Sequence, residues 1–231
     1  MKPAIIVTGA AGNLGRAVAR RLAGDGVHVI AVDREIGPLE DLVATLSGEH
    51  LTLAGVDLMS AEACAAMVKA SFDRFGRVDG VVHTVGGFAT GDVEDADASK
   101  FDLMFRLNVL TTVNVFRAVA AALKMTGGGS MLAIGAAAGV KSGAGMAAYA
   151  GSKAATHRLV ESFADELKAS NIRVNALLPS VIDTPQNRAA MPDADSSAWV
   201  SPDNLAATIA FLMSEAGRDI TGALIPVNGR V

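Results

Sequence analysis

Tyr149 and Lys153, four residues apart in "YAGSK", carry the clearest chemical signal in the chain. On a helix, positions i and i+4 share one face, so a phenol and an ammonium there reach the same ligand. A phenol with a pKa of about 10 is a weak acid at neutral pH, but a neighbouring ammonium favours the phenolate and lowers that value. The pair can then donate and accept a proton. A core tyrosine beside a solvated lysine has the same spacing, so the elements around the pair must decide between the two.

Those elements alternate. Short apolar or β-branched runs at 4–8, 27–32, 50–56, 78–84, 130–135, 172–178 and 223–227 are separated by stretches of helical spacing. Seven strands with intervening helices predict a Rossmann-type doubly wound α/β fold, one parallel sheet covered on both faces. Tyr149 and Lys153 open the helix after the fifth strand. No repeat, charge block or low-complexity linker interrupts the pattern, so residues 1–231 are read as one domain. The stretch 179–222 carries four of the seven prolines beyond a strand's carboxyl end, where such folds place substrate loops. A lid is expected at about 183–201. Within it Trp199 and Met191 could meet a flat ring, or Trp199 could anchor the loop to the core.

The first strand runs into "TGAAGNLG". Gly9, Gly12 and Gly15 permit a sharp strand-to-helix turn and let a pyrophosphate approach the helix N-terminus, where free N–H groups and the dipole favour negative charge. Asn13 and Leu14 complete that turn. Asp33 ends the second strand, where a carboxylate accepts from both ribose hydroxyls of an adenosine and repels a 2′-phosphate. NAD is therefore the expected cofactor. NADP stays possible, because Arg34 beside it could clamp a 2′-phosphate. Asp57, expected to close the third strand and followed by Leu58, could accept from an adenine amine or cap the next helix. Gly86 and Gly87 in "HTVGGF" allow close backbone approach to a dinucleotide, and His83 reads as a packed strand histidine.

Composition narrows the partners. A net charge of −4 without a long basic run argues against nucleic acid or an anionic membrane as the main partner and leaves a small molecule. The single cysteine, Cys64, forms no disulfide within the chain and sits in a helical run suited to burial. No targeting or spanning segment is read, so a cytoplasmic protein is expected. No metal is called for. The apolar faces of the helices near 101–123 and 147–170 predict a homodimer or homotetramer.

Taken in order, "TGAAGNLG", "AVD", "VDL", "HTVGG", Asn108 in "LMFRLNV", "YAGSK", "IRVNALLPSVIDT" and "ITGALIPVNG" resemble the short-chain dehydrogenase/reductase family over the whole chain. The resemblance implies an NAD(P)-dependent oxidoreductase. It makes Tyr149 the acid/base, Lys153 the ligand of the nicotinamide ribose that lowers the tyrosine pKa, and Asn108 the support of a proton-relay water. Through "PSVIDT" it assigns Pro179, Ile182 and Thr184 to the carboxamide, with Ser180 replacing a glycine.

Three positions depart from the family pattern. Asn13 replaces the second motif glycine, a change that asparagine's tolerance of positive φ would accommodate. "HTVG" replaces N-N-A-G. Ala136 stands thirteen residues before Tyr149, where the family places a serine that orients the substrate carbonyl. Residues 131–202 resemble the dihydropteridine reductase branch, which also has alanine there and reduces a conjugated, quinonoid substrate with NADH. A general carbonyl reductase or alcohol dehydrogenase, and a non-catalytic NAD(H) binder, are the alternatives.

Overall fold

The computed structural model describes residues 2–231. Among these residues seven strands form one wholly parallel sheet: β1 (Ala4–Thr8), β2 (His28–Asp33), β3 (Leu51–Ala54), β4 (Gly80–His83), β5 (Gly129–Ile134), β6 (Ile172–Pro179) and β7 (Leu224–Val227). Their order is β3-β2-β1-β4-β5-β6-β7. The chain builds outward from β1 in one direction and then, from β4, in the other. The crevice between the carboxyl ends of β1 and β4 is thus the topological switch point, where ligands of such sheets bind.

The described residues also form eight α-helices, most of them packed on the sheet: α1 (Asn13–Gly24), α2 (Ile36–Val43), α3 (Ala61–Phe75), α4 (Ala98–Phe105), α5 (Thr111–Thr126), α6 (Ala147–Leu167), α7 (Pro185–Ala190) and α8 (Pro202–Met213). Because strand side chains alternate, the sheet feeds two cores. Ile6, Ile30, Val81 and Met131 pack toward α3, α5 and α6 with Val115, Phe116 and Val160. Ile5, Val7, Val29 and Leu177 pack on the other face with Leu22 of α1 and Leu205 and Ile209 of α8. Every residue of β1 is buried, which explains its unbroken apolar run.

The strands fall within about two residues of the expected runs. The third stops two residues short of its expected run, because Gly55 at φ +71° turns the chain out of the sheet directly after Ala54. Asp57 therefore follows that strand rather than closing it. The helix expected at 101–123 runs from Ala98 to Thr126, with a π-helical turn at Arg106–Leu110 joining α4 to α5. Its length and hydropathy would suit a membrane crossing, but Phe116, Val119 and Leu123 are buried on the sheet. It is a core helix.

Candidate active site

Backbone-to-backbone packing builds the first part of the site. Gly9 leaves β1 at φ +69°, and a Cβ on Gly15 would stand 2.0 Å from the Gly9 carbonyl oxygen. No side chain fits there. The N-cap, Gly12, makes no side-chain capping bond, and no acidic residue lies in the first turn of α1. The end of α1 therefore presents free amides and the positive pole of its dipole to the crevice. Asn13 corrects the expectation of positive φ: it is the first residue of α1, and Asn171 is the one non-glycine residue with positive φ among those described. The Asn13 amide instead donates to Gln186 Oε1 of α7 at 2.7 Å.

Asp33 sits at the end of β2 beside this turn. Its Oδ2 accepts from the Ala11 amide at 2.9 Å and its Oδ1 from the Arg34 amide at 2.7 Å. The carboxylate braces the glycine turn and keeps lone pairs for a ligand. A cleft of about 210 Å³ opens next to it, lined by Gly9, Asp33, Arg34, Asp57, Leu58 and Gly86 among others. Asp57 does not cap α3. Its Oδ1 accepts from the Met59 amide, and Ser60 is the N-cap.

The end of β4 meets α5 and α6 at a single point. A Cβ on Gly86 would stand 2.6 Å from Asn108 Oδ1 and 3.1 Å from Lys153 Nζ, so glycine there leaves room for both side chains against the backbone. Asn108 lies in the π-helical turn, 1% exposed. Its Oδ1 accepts from the Gly87 amide at 2.9 Å, while Nδ2 donates to the Gly87 carbonyl at 3.1 Å and to Ser152 Oγ at 2.9 Å. The Asn108 backbone carbonyl accepts from the Thr112 hydroxyl at 2.7 Å, and the Thr156 hydroxyl lies between it, at 3.1 Å, and the Ser152 carbonyl, at 3.0 Å. In "HTVG", Thr84 Oγ1 donates to the Thr8 carbonyl at 2.8 Å and closes on Gly9. His83 is packed as expected. The Thr8 hydroxyl lies 2.8 Å from Nδ1 and Thr111 Oγ1 lies 3.2 Å from Nε2. Because Thr111 donates its proton to the Leu107 carbonyl, Nε2 is the ring nitrogen that bears hydrogen.

Tyr149 and Lys153 share a face of α6. Lys153 is buried, 6% exposed, and its Nζ donates to the Ile134 carbonyl at 2.8 Å. Burial lowers its pKa to about 8. The ammonium in turn adds to the burial that pushes His83 down to about 3 and His157 down to about 4, so both rings are neutral. Tyr149 departs from the expectation of a lowered pKa: burial raises its phenol to about 12. Its ring meets Phe88 edge-on, with centroids 4.9 Å apart. The phenol thus keeps its proton at neutral pH. Ala136 is buried, and its amide donates to His157 Nε2 at 3.3 Å.

The segment beyond β6 forms the outer wall. A bridge between Ile182 and Val200 closes its base, through Asp183 N to the Val200 carbonyl and Val200 N to the Val181 carbonyl, both 2.8 Å. The Ile182 amide stays outside that bridge. Pro179 ends β6 opposite Val227, the Ser180 hydroxyl donates to the Asn228 carbonyl, and Thr184 caps α7 by accepting from Asn187 N. Trp199 is buried and Met191 exposed, so the tryptophan anchors the loop. Sequence reading had missed Ser152, Thr156, His157 and Gln186. Ser152, Thr156 and His157 share α6 with Lys153, and their spacing of three or four from it or from Tyr149 was the available signal.

The strand order and glycine turn define a Rossmann-type α/β protein. A short chain dehydrogenase model matches residues 3–195, and the chain belongs to the short-chain dehydrogenase/reductase family. It is 29% identical to 7α-hydroxysteroid dehydrogenase of Bacteroides fragilis, covering 97% of this chain and 92% of that one. NAD⁺-bound xylitol dehydrogenase superposes with a TM-score of 0.91 at 27% identity, over 98% of both chains. The L-sorbose reductase of Gluconobacter frateurii, solved with NADPH and L-sorbose, gives 0.90 at 25% identity over 99% and 95%. The chain is an NAD(P)-dependent oxidoreductase of this family, whose members include users of either dinucleotide.

Lys153 carries a pH signature. Its folded pKa lies below the usual lysine value of 10.5. Below about pH 8 both folded and unfolded chains hold the proton, and the full cost of burying charge is present. From about pH 8 to 10.5 only the unfolded chain keeps it, so this group's contribution to stability rises with pH. The Tm of the native protein should therefore gain on that of Lys153→Met as pH rises through this window. Thermal melts at pH 7, 8, 9 and 10 measure the difference, and a constant gap would show that Lys153 titrates normally.

Proposed function

We propose that the chain is an NADH-preferring reductase of a conjugated imine or quinonoid substrate, such as a dihydropterin, with Tyr149 as its acid/base. The observation that carries this reading is the segment between β5 and α6. Residues 135–139 contain no hydroxyl, the Ala136 amide is committed to His157, and the Ser142 hydroxyl is exposed and donates to Gly143. Tyr149 is left as the side chain that can protonate a substrate there. A conjugated substrate spreads incoming charge over its own nitrogens or oxygens and needs less than a second donor would give. An isolated ketone loses about a hundred- to a thousandfold in rate when one such donor is removed.

The residues fit a dinucleotide. Gly9, Gly12, Asn13, Leu14 and Gly15 would cradle the pyrophosphate at the amides of α1, Asp33 the adenosine ribose, and Asp57 and Leu58 the adenine. Gly86 would permit approach beside Lys153, and Pro179, the Ile182 amide and Thr184 would hold the carboxamide. When bound, the nicotinamide supplies the hydride. Lys153 binds the nicotinamide ribose and electrostatically favours phenolate after proton transfer; Tyr149 delivers its proton to the substrate atom; Asn108 locks β4, α5 and α6 in register. The Thr156 hydroxyl has the Ser152 carbonyl as a second acceptor, so the Asn108 carbonyl keeps a lone pair that a relay water could use beside this locking role.

A general carbonyl reductase or alcohol dehydrogenase is the second reading, favoured by the hydroxysteroid and polyol activities named for the relatives. Installing the hydroxyl separates the two. Ala136→Ser should leave turnover of quinonoid dihydropterin unchanged, but on a simple ketone it should raise kcat by up to about a hundredfold if the second reading holds. Tyr149→Phe should abolish most turnover in both. Assays following NADH loss across dihydropterin, quinone, imine and ketone substrates decide, and full activity of Tyr149→Phe would remove its proton-donor role.

Asp33 supports NADH over NADPH, because a 2′-phosphate would meet its carboxylate, while the exposed Arg34 softens the preference. Fluorescence titration should find NADH binding several-fold tighter; tighter NADPH binding refutes this.

Assembly is proposed as a homodimer or homotetramer of single-domain chains in a reducing, cytoplasmic setting. Two grooves flank α5, one lined by Ala65, Phe72, Ala118 and Met125, the other by Val113, Ala120, Phe163 and Leu167. A second copy's α5 and α6 would fill them, with Arg117 and Lys124 able to meet Asp73 and Glu166. Light scattering at micromolar concentration should give at least twice the 23.5 kDa chain mass, and a monomer overturns it.

A further inference from the structure

His157 is one of two buried histidines, 1% exposed, and stands one helical turn beyond Lys153 on α6. Its Nε2 accepts the Ala136 amide at 3.3 Å. The strand-end segment is shaped around its ring: a Cβ on Gly135 would come within 2.5 Å of Nε2, and one on Gly139 within 2.5 Å of Cε1. That Gly139 Cβ would also stand 3.0 Å from the backbone of Lys153 and Ala154, so the segment lies directly on the helix. A second attachment lies just before it, where Lys153 Nζ donates to the Ile134 carbonyl at 2.8 Å. Two bonds, from residues i and i+4 of α6, thus tie down the wall that carries Ala136.

The two bonds differ in what else their owners must do. The Lys153 ammonium also faces Gly86 and Asn108 and must turn donors to a cofactor ribose, whereas the imidazole is enclosed by the segment itself. We infer that His157 is the positioning residue of segment 135–139, fixing the Ala136 amide so that Lys153 can engage a cofactor without the wall moving. The division of labour rests on the dinucleotide reading above; the anchoring does not. Acceptance at Nε2 requires a neutral ring with its hydrogen on Nδ1, and burial together with the Lys153 and Arg158 charges keeps the ring neutral. The same bond withdraws the Ala136 amide from any role as a donor to substrate.

Hydrogen exchange at the Ala136 amide, followed by NMR on the full chain without cofactor, tests the anchor. His157→Leu removes the acceptor and should speed exchange about tenfold. His157→Gln restores an acceptor oxygen and should bring exchange back toward the native rate, a rescue that mere space-filling does not provide. Lys153→Met should leave the Ala136 amide protected. Val7 and Val82 amides report on the core. If the leucine variant also opens there, the glutamine variant decides: slow exchange at Ala136 supports the anchor and fast exchange in a folded protein overturns it. Native protection in His157→Leu, or loss in Lys153→Met equal to that in His157→Leu, also overturns it. Because these measurements are made without NADH, a failure of NADH to bind would count against the dinucleotide reading alone.

Discussion

The site is organised around a buried ammonium. Taking a charge out of water is costly unless donors and acceptors meet it, and Lys153 is met by a strand-end carbonyl rather than a carboxylate. Its cost appears as a pKa lowered to about 8 and as two neighbouring histidines kept neutral. A lysine held this way keeps unused donors directed at the switch point of the sheet. That stored cost is what a ligand with hydroxyls to offer would relieve, so stability and binding draw on the same group.

Placing that ammonium takes glycine in one strand end and a defect in one helix. Gly86 lets Asn108 and Lys153 approach the backbone just beyond β4, where a Cβ would stand 2.6 Å from Asn108 Oδ1 and crowd Lys153 Nζ at 3.1 Å. The π-helical turn at Arg106–Leu110 frees carbonyls from the helix ladder, and threonine hydroxyls on α5 and α6 take them up. Asn108 completes the joint by pairing with both polar groups of Gly87. The Leu107 and Asn108 carbonyls of this irregular backbone accept threonine hydroxyls, which helps a helix interruption persist in a buried position.

The chemistry available is correspondingly spare. Burial holds the Tyr149 phenol protonated, with its pKa raised to about 12. The opposing segment offers small residues and a committed amide.

The sequence alone determined the seven-stranded alternation, the glycine turn, the Asp33 position and the Tyr149–Lys153 face, because each is a local pattern whose period or spacing survives in the linear chain. Family resemblance placed Asn108 and Pro179, Ile182 and Thr184 on the same crevice, and the chain's membership of that family bears out the coarse identity. Only the tertiary structure decided what those residues touch. Asn13 was expected in a left-handed turn and is instead helical, reaching a glutamine 173 residues away. Asp57 was expected at a strand end and lies beyond it. The tyrosine pKa moves up rather than down, since desolvation depends on what surrounds the ring, which spacing along the chain does not reveal. His157 and Ala136 are twenty-one residues apart, and nothing in either residue's local pattern reveals that an imidazole fills the space two glycines leave. Contacts of that kind arise when separate elements pack, so they are written in the fold and not in the spacing.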